Sequence, residues 1–434
     1  LIYALLLPST MFNMRTNLVL VVLGCLCFPP TPALQSSKAL ESLDWDRHYW
    51  HRHRRWRRPC TTTTTTAGVP QIPDDLVLVN GQTHSGQCNW GGMNSYFLYA
   101  MEEKQQNDAL RDMQQYGLKV LRIFVSTVPA NFKGTKSQFV NFLEPEHMGP
   151  PYDTQVLELI NDFMVKVQSY GVKLVIALHD RYSLGCWSCD GYQKELNLTC
   201  APKEGKKCKA EVNDASEFYE NATAISFYDQ RLQFILNYTN PHFDNRPWGE
   251  LKEVVAMYEV QNEAQGYDPV PWVTDWHCDR AKVMKPLMDP AIFVGTGGGR
   301  TFQESSLTEH FTCPEIDVVT VHDYDASSWD EIWYNVTQLR QLSLTHDKKV
   351  LYEEFGNKKR YYRPDYHYAV ITACNLNGIP FMPWEYVHPP NTDDTGQEFD
   401  IHQATYPVLV YGVLVANKTG SVQRWSNLEL CNVS

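Results

Sequence analysis

The stretch VVAMYEVQNEAQG, from Val254 to Gly266, begins as an apolar run rich in β-branched residues and ends in Asn262-Glu263. Gly266 and the later Pro269 are residue types that favour loops. The pattern therefore predicts a buried strand that delivers an amide and a carboxylate to its C-terminal end.

A second stretch, KVLYEEFG from Lys349 to Gly356, has the same form and also ends in acidic residues. Glu354 lies 91 positions after Glu263, so two strands from distant parts of the chain would bring two carboxyl groups into one cleft. Such a pair is what acid/base cleavage of a glycosidic bond requires. Glu353 competes with Glu354, but side chains alternate along a strand, so we expect only one of them to enter the cleft.

Apolar strand-like runs alternate with helical patterns from about residue 71 onward, in eight strand–helix units that end with a predicted strand over 379–384 and a helix. Near-continuous apolar strands between helices indicate a parallel sheet buried on both faces. Eight units predict an α/β fold, a closed (β/α)8 TIM barrel whose active site lies at the C-terminal strand ends. A doubly wound open sheet is the alternative, but no Gly-X-Gly-X-X-Gly follows a first strand.

The charge of the 434-residue chain excludes some partners. Its net charge is −12, but residues 1–58 carry +5 and the remainder carries −17. An acidic body argues against nucleic acid and suits a neutral partner such as a polysaccharide. Twelve Trp and 24 Tyr also suit sugar rings, although core packing accounts for most aromatic residues.

The N-terminal region carries export signals. Residues 11–33 are expected to form a secretory signal peptide, because the apolar run 17–28 follows a charged start and precedes small residues near Ala33. Met11 or Met14 is the expected start. The apolar run is too short for a membrane span, so we expect a secreted, extracellular protein with no span in its mature form.

Residues 34–70 are predicted to form a basic pro-segment and a Thr-rich linker. Trp45 to Arg58 mixes Arg, His and Trp, which suits either a disordered pro-segment or binding of an anionic polymer. Thr61 to Thr66 has the composition of a linker. Residues 71–434 are then expected to form the (β/α)8 catalytic domain, acting as a monomer.

Cysteines and sequons agree with export. Ten cysteines remain after the signal, an even number that suggests up to five disulfides. They are Cys60, Cys88, Cys186, Cys189, Cys200, Cys208, Cys278, Cys313, Cys374 and Cys431. Those from Cys186 to Cys208 suit either a zinc site or, as an oxidising compartment favours, two disulfides. Six Asn-X-Ser/Thr sequons suggest a glycoprotein: Asn197, Asn221, Asn237, Asn335, Asn417 and Asn432.

Over roughly residues 85–416 the chain resembles glycoside hydrolase family 5 and its clan of (β/α)8 retaining hydrolases. Asn262-Glu263 is similar to the clan's Asn-Glu at the end of strand four, where Glu is the acid/base. Glu354 begins a Glu-aromatic-Gly that is similar to the nucleophile motif of strand seven. Ala264 departs from the Pro that usually follows Asn-Glu. The motifs EVQNE, HDYDASSW and LYEEFG resemble the endo-β-1,4-mannanase branch most.

The resemblance also implies substrate-binding residues. Arg122 in VLRIFV matches an Arg that supports the nucleophile, and His322 and Tyr324 match a His-X-Tyr that lines the site. Trp384 matches a Trp that floors a sugar subsite. Arg122 is expected to hold Glu354 ionised, because a nearby cation lowers the pKa of a carboxyl.

Two further polar residues at strand ends are candidate sugar contacts. Asn262 is expected to bond the sugar 2-OH, a contact that strengthens in the transition state. His179 ends the third strand and is expected either to contact sugar hydroxyls or to be a hydrogen-bonded core histidine.

The sequence thus predicts a secreted retaining endo-β-glycosidase, with β-1,4-mannan as the expected substrate. A cellulase or another β-glucanase, and an inactive carbohydrate-binding barrel, are alternatives. A metal-dependent hydrolase on the same barrel is a further one, with His179, Asp180, His322 and Asp323 as imagined ligands. No cofactor signature is present, and the Gly297–Gly299 run lacks the Lys-Ser/Thr of a phosphate loop.

Overall fold

The structure is a computed structural model that describes residues 85–198, 214–266, 273–357, 362–389 and 398–431. The predicted signal peptide, basic segment and linker lie outside these residues. So do Cys60, Cys200, Cys208 and the sequon at Asn432. In the part of the chain that is described, no helix is both long and apolar enough to cross a membrane.

Seven parallel strands form one sheet in which each strand pairs with the next along the chain. They are β1 Met93–Asn94, β2 Val120–Phe124, β3 Lys173–Ala177, β4 Val255–Glu259, β5 Phe293–Gly295, β6 Val318–His322 and β7 Lys349–Glu354. A separate two-residue antiparallel pair joins Thr239–Asn240 to Arg246–Pro247. The consecutive order excludes a doubly wound sheet, in which the strand order reverses.

Phe381 closes the sheet into a barrel. It makes parallel bridges to Gly91, beside β1, and to Tyr352 in β7. Its carbonyl oxygen accepts from the Gly92 amide at 3.0 Å, and the Met382 amide donates to Tyr352 at 2.9 Å. The predicted (β/α)8 TIM barrel is therefore confirmed, with its eighth strand reduced to these bridges.

The predicted eighth strand over 379–384 is longer than the observed one because it contains Pro380 and Pro383. Proline has no amide hydrogen, so each one removes a donor from the ladder. The apolar pattern over 379–384 is typical of a strand. The two prolines, however, leave too few backbone amide donors for more than a bridge.

Helices surround the barrel and follow the predicted order. They are α1 Glu103–Tyr116, α2 Gln155–Ser169, α3 Gly191–Glu195, α4 Ser216–Glu220, α5 Ala222–Leu236, α6 Trp276–Met284, α7 Phe302–Ser305, α8 Thr308–Thr312, α9 Trp329–His346, α10 Arg363–Asn377 and α11 Thr405–Ala416. Short 3-10 helices occupy Leu98–Ala100, Phe132–Gly134, Arg181–Ser183, Pro241–Phe243, Trp248–Glu250 and Lys285–Leu287. Gly117 and Gly378 end α1 and α10 in the left-handed conformation, as a C-terminal glycine does.

The barrel interior is layered. Its lower layer is apolar and includes Val120, Met257, Val318 and Leu351, which pack together. Because every second residue of a strand faces the same side, the residues two positions further along these strands also point inward. The upper layer is therefore expected to hold polar side chains directly above the apolar floor.

Two disulfides have both partners described. Cys88 pairs with Cys431 across 343 residues, and Cys278 pairs with Cys313 across 35 residues. Cys186 and Cys189 are also disulfide-bonded, which favours disulfides over zinc there. Cys374 is a buried free thiol in α10, so the ten cysteines that follow the predicted signal peptide are not all paired.

Removing the Cys88–Cys431 disulfide is expected to destabilise the barrel. Replacing both cysteines with serine should lower the free energy of unfolding by about 2–5 kcal/mol, because the bond closes nearly the whole domain into one loop. Denaturant unfolding measures this. The Cys278–Cys313 disulfide closes a loop about ten times shorter. The matched variant, with serine at both of these positions, should therefore lose about 2 kcal/mol less of its free energy of unfolding. An equal or larger loss there would contradict the prediction.

One sequon does not fit a glycoprotein. Asn335 is only 5% exposed, and its side-chain amide donates to Asp323 Oδ2 at 2.8 Å. The folded chain leaves no room for a glycan at this position. Asn197 and Asn237 are exposed, so glycosylation at these two sequons stays a prediction.

Candidate active site

Charged residues form the upper layer of the barrel interior. Arg122, Glu259 and Glu353 each lie two positions after a residue of the apolar floor and are completely buried. Burying charges is costly unless they pair. The three residues satisfy this requirement with one another and with the polar residues at the strand ends.

Arg122 is the centre of this layer. Its Nε donates to Glu259 Oε2 at 3.0 Å, its Nη2 donates to Asn262 Oδ1 at 2.9 Å, and its Nη1 donates to Glu354 Oε1. Nη1 also lies 3.3 Å from Asn94 Oδ1. One guanidinium thus fixes four side chains from three strands and their ends, which suits its planar fork of five donors.

Glu353 and Glu354 both contact Arg122 in the barrel interior, so the two adjacent side chains do not point to opposite faces as strand alternation predicts. The ladder between β6 and β7 shifts register: Val321 pairs with Tyr352, but His322 pairs with Glu354. Glu353 is the extra residue of this β-bulge, and a bulge re-aims side chains. Glu353 points inward by alternation, and Glu354 points inward because of the bulge.

Glu263 lies in a tight turn beyond β4. Its φ is +46°, a left-handed value that is uncommon for residues other than glycine. The turn is held because the Asn262 amide donates to His179 O at 2.9 Å and the Glu263 amide donates to Gly297 O at 2.9 Å. A Cβ on Gly297 would clash with the Gln261 backbone. This explains one glycine of the Gly297–Gly299 run.

The two candidate catalytic carboxyls meet. One oxygen of Glu263 and one of Glu354 lie within 4.8 Å of each other, together with a ring nitrogen of His322. Tyr182 donates its hydroxyl to Glu263 Oε2, and Tyr324 donates its hydroxyl to Glu354 Oε2 at 2.8 Å. Each carboxyl therefore has a tyrosine partner of its own.

His322 links the carboxyls. Its Nδ1 lies 3.0 Å from Glu263 Oε1 and 3.5 Å from Glu354 Oε2, and its Nε2 lies 3.3 Å from Glu353 Oε2. Burial acts to lower its pKa, but these carboxyls raise the pKa to about 10. The imidazole is therefore a cation that donates from both nitrogens. A Cβ on Gly298 would clash with its ring.

Three aromatic rings form a platform beside Glu354. Trp384 is half-buried and stacks on Tyr96, with ring centroids 5.7 Å apart and an interplanar angle of 6°. Phe124 lies 5.9 Å from Trp384, and the Arg122 guanidinium lies over the Phe124 ring at 4.6 Å. We name Tyr96, Phe124 and Trp384 the Glu354-side platform.

Burial and the neighbouring charges determine which of the two buried carboxyls, Glu259 or Glu353, holds a proton. Burial raises the pKa of Glu259, and Glu353 raises it further, although Arg122 opposes the rise. Burial also acts on Glu353, but Arg122 and hydrogen bonds from Glu259 and His322 lower its pKa to about 2. Glu259 thus keeps a proton and Glu353 is ionised.

Glu354 does not have the lowered pKa that the sequence predicts. Burial raises its pKa, and Glu263 adds to the rise, although His322 and Arg122 act to lower it. Glu263 and Glu354 lie within 4.8 Å of each other, and a negative charge on one disfavours a negative charge on the other, which suits a pair with separate acid and base roles.

Some predicted residues lie elsewhere. His179 is buried below the site, where its Nε2 bonds Asp190 at 2.9 Å and its Nδ1 bonds Gln261 at 2.7 Å. Both ring nitrogens are used, so the structure does not place His179 in contact with the cleft. Asp323 accepts from Asn335 and Tyr352. The four imagined metal ligands therefore do not converge.

Four residues at the site were not singled out from the sequence as contacts. Glu259 and Asn94 are polar residues inside apolar strands, and this contrast was an available signal. Asp180 accepts from the Asn262 side chain at 2.9 Å. Tyr182 follows in the same loop, where the sequence gave no signal that its hydroxyl reaches Glu263.

The buried acids predict how stability depends on pH. Burial raises the pKa of four carboxyls above their ordinary values despite hydrogen bonds or cations that oppose it: Glu144 to about 7, Asp180 to about 7, Asp190 to about 7 and Glu385 to about 8. The folded state therefore keeps protons that the unfolded chain releases above about pH 4. Four buried histidines act the other way up to about pH 6.5, because burial lowers the pKa of His179, His277, His310 and His367. Stability should therefore fall most clearly as pH rises from about 6.5 to 8. His322, with its raised pKa, extends the fall toward pH 10.

Thermal unfolding between pH 4 and 10 measures this dependence. The control is Glu385→Gln, because Glu385 pairs with Lys133 and Lys133 keeps Glu398 as a partner. This variant should reduce the slope between pH 5 and 8 by up to about 1.4 kcal/mol per pH unit. A wild-type stability that rises between about pH 6.5 and 8 would reverse the predicted sign.

Comparison with known proteins gives the fold a context. No protein-family model matches this sequence, and no protein of curated function matches it. Solved structures do match. The endo-1,4-β-mannanase from Rhizomucor miehei aligns with a TM-score of 0.59 and 16% identity, over 78% of this chain and 96% of that chain. The endo-β-1,4-mannanase from Thermotoga petrophila aligns with a TM-score of 0.57 and 15% identity, over 76% and 77%.

A glycoside hydrolase family 5 mannosidase from Rhizomucor miehei has a TM-score of 0.57 and 15% identity, over 75% of this chain and 92% of its own. The chain is thus a (β/α)8 barrel of the kind found in glycoside hydrolases. More narrowly, it has the fold of the family 5 mannanases, as the sequence motifs predicted.

Proposed function

We propose that this chain is a retaining endo-β-glycosidase that hydrolyses β-1,4-mannan-type polysaccharide through Glu263 and Glu354. The observation that carries the proposal is the approach of these two carboxyls to within 4.8 Å at the end of the barrel. Retaining enzymes hold their carboxyls about 5–5.5 Å apart, whereas inverting enzymes need about 6.5–9.5 Å to admit a water.

In the first step Glu263 gives its proton to the oxygen of the departing sugar, and Glu354 attacks the anomeric carbon. Arg122 and Tyr324 orient the Glu354 oxygens from the side away from the substrate. The bond to the leaving oxygen breaks as the bond to Glu354 forms, which gives a glycosyl-enzyme.

In the second step Glu263, now ionised, takes a proton from water, and the water attacks the anomeric carbon and releases Glu354. Asn262 is held by Arg122 and Asp180, beside both carboxyls. This position suits a hydrogen bond to the sugar 2-OH, which strengthens in the transition state.

Mannan is the proposed substrate because the solved structures similar in fold include endo-1,4-β-mannanases from two organisms and the strand-end motifs resemble that branch. The Glu354-side platform offers an aromatic face to a sugar ring. A cellulase or another β-glucanase would use the same pair of carboxyls.

Secretion is part of the proposal. Residues 11–33 would be the signal peptide, 34–70 a pro-segment and linker, and 71–434 the catalytic domain. The disulfides at Cys88–Cys431 and Cys278–Cys313 support an oxidising compartment such as the extracellular space.

Side-by-side assays on mannan, cellulose and β-1,3-glucan test the substrate. NMR of the first product tests the stereochemistry, and the expected result is mannan hydrolysis with retained β-configuration. Inverted product would contradict the mechanism, and binding without hydrolysis would indicate an inactive carbohydrate-binding barrel. Activity lost on chelation and restored by a metal would favour the metal-dependent alternative.

A further inference from the structure

A second pair of aromatic rings lies beside Glu263. Tyr182, which bonds Glu263, has its ring centroid 6.0 Å from that of Trp187, at an interplanar angle of 38°. Trp187 is 60% exposed. The Glu354-side platform approaches Glu354 through Arg122, whereas Tyr182 and Trp187 approach Glu263.

The turn that carries Trp187 is fixed in place. The Tyr182 carbonyl accepts from the amides of Cys186, Trp187 and Ser188 at 3.2, 3.0 and 3.3 Å. The Gly185 amide donates to Ser188 O at 2.9 Å. Trp187 stands between two cysteines that are both disulfide-bonded. The indole is therefore presented by a braced backbone, and little conformational entropy is lost when it binds a ligand.

Exposure alone does not mark a binding residue, because single apolar side chains are common on protein surfaces. The position of Trp187 is what distinguishes it. Glu263 must reach the oxygen that joins the two sugars, and Glu354 must reach the anomeric carbon of one of them. The departing sugar therefore lies on the Glu263 side, where Tyr182 and Trp187 stand.

We propose that Trp187 binds the departing sugar of the substrate by stacking and so determines specificity on the leaving-group side. This inference rests on the proposed glycosidase function. The ligand is a β-linked pyranose ring, whose C–H face packs on an indole while its hydroxyls stay in water. In transglycosylation, the same surface binds an acceptor sugar, whose hydroxyl attacks the glycosyl-enzyme in place of water.

The test compares two substrates in wild type and Trp187→Ala. Mannohexaose has a departing sugar, whereas mannobiosyl fluoride has a leaving atom with no ring. The variant should lose roughly tenfold in kcat/KM on mannohexaose, mainly through KM, and should keep its rate on the fluoride. Transfer of mannobiose from the fluoride to added mannotriose should fall relative to hydrolysis, and Trp187→Phe should restore part of it.

Tyr368→Ala is the matched control, because Tyr368 is 39% exposed on α10; both activities should be unchanged. Equal losses on the hexaose and the fluoride would show a structural role for Trp187 and overturn the inference. Unchanged activity on both would overturn it as well. A wild-type protein that hydrolyses neither substrate would overturn the proposed function and the inference together, so the two failures are distinguishable.

Discussion

Replacing Glu354 with alanine is expected to lower kcat on mannan by about 10⁴-fold or more, because no other group can form the bond to the anomeric carbon. The fold should survive, since Arg122 keeps Glu353 as an ionic partner and keeps its hydrogen bonds to Glu259 and Asn262. Initial rates on mannan measure the loss, and circular dichroism checks the fold.

Added azide distinguishes the loss of the nucleophile from a general disruption of the active site. In Glu354→Ala the anion can occupy the space of the missing carboxylate and attack the anomeric carbon of an aryl β-mannotrioside. The aryl oxide leaves with the proton of Glu263, and the product is an α-glycosyl azide. Azide should therefore restore part of the rate.

Glu353→Gln is the control for the neighbouring carboxyl. Glu353 is completely buried under Arg122 and His322, so its loss should lower activity through positioning, and azide should not restore it. Full activity of Glu354→Ala, or azide rescue of Glu353→Gln with an α-azide product, would reject Glu354 as the nucleophile.

The order of elements could be predicted because the apolar strands and their stop signals are local. The strand predicted within the stretch Lys349 to Gly356 is observed at Lys349–Glu354. The eighth strand was overpredicted, because the apolar pattern outweighed the two prolines within it.

The site was predictable where a polar residue ends a strand. Asn262, His322 and Tyr324 converge on Glu263 and Glu354 in this way, and Arg122, in the middle of β2, joins them as the family resemblance implies. His179 ends a strand too, but Asp190 and Gln261 occupy both of its nitrogens. Such partners come from distant loops, and spacing along the sequence contains no information about them.

The bulge at Glu353 was not predictable for a related reason. Two consecutive Glu residues in a strand imply opposite faces unless a register shift intervenes, and the shift is visible only in the pairing with β6. Because of the bulge, the buried carboxylate of Glu353, which keeps His322 protonated, lies directly beneath the proposed catalytic pair.

Replacing Glu263 with glutamine is expected to lower kcat on mannan by about 10²–10⁴-fold, because an amide cannot protonate the departing oxygen. Fluoride leaves without a proton, so a mannobiosyl fluoride should still form the glycosyl-enzyme. The second step lacks its base, and the intermediate should accumulate on Glu354. Intact-protein mass spectrometry measures this covalent adduct.

Azide again distinguishes the roles, with the opposite product. Since azide needs no base, it should accelerate release of the glycosyl-enzyme in Glu263→Gln and give a β-glycosyl azide, opposite in configuration to that from Glu354→Ala. Tyr182→Phe is the matched control: it removes the hydroxyl that bonds Glu263 but keeps the carboxyl, so its loss should be smaller and insensitive to azide. An α-azide from Glu263→Gln would exchange the two assignments, and absence of a covalent adduct would contradict double displacement.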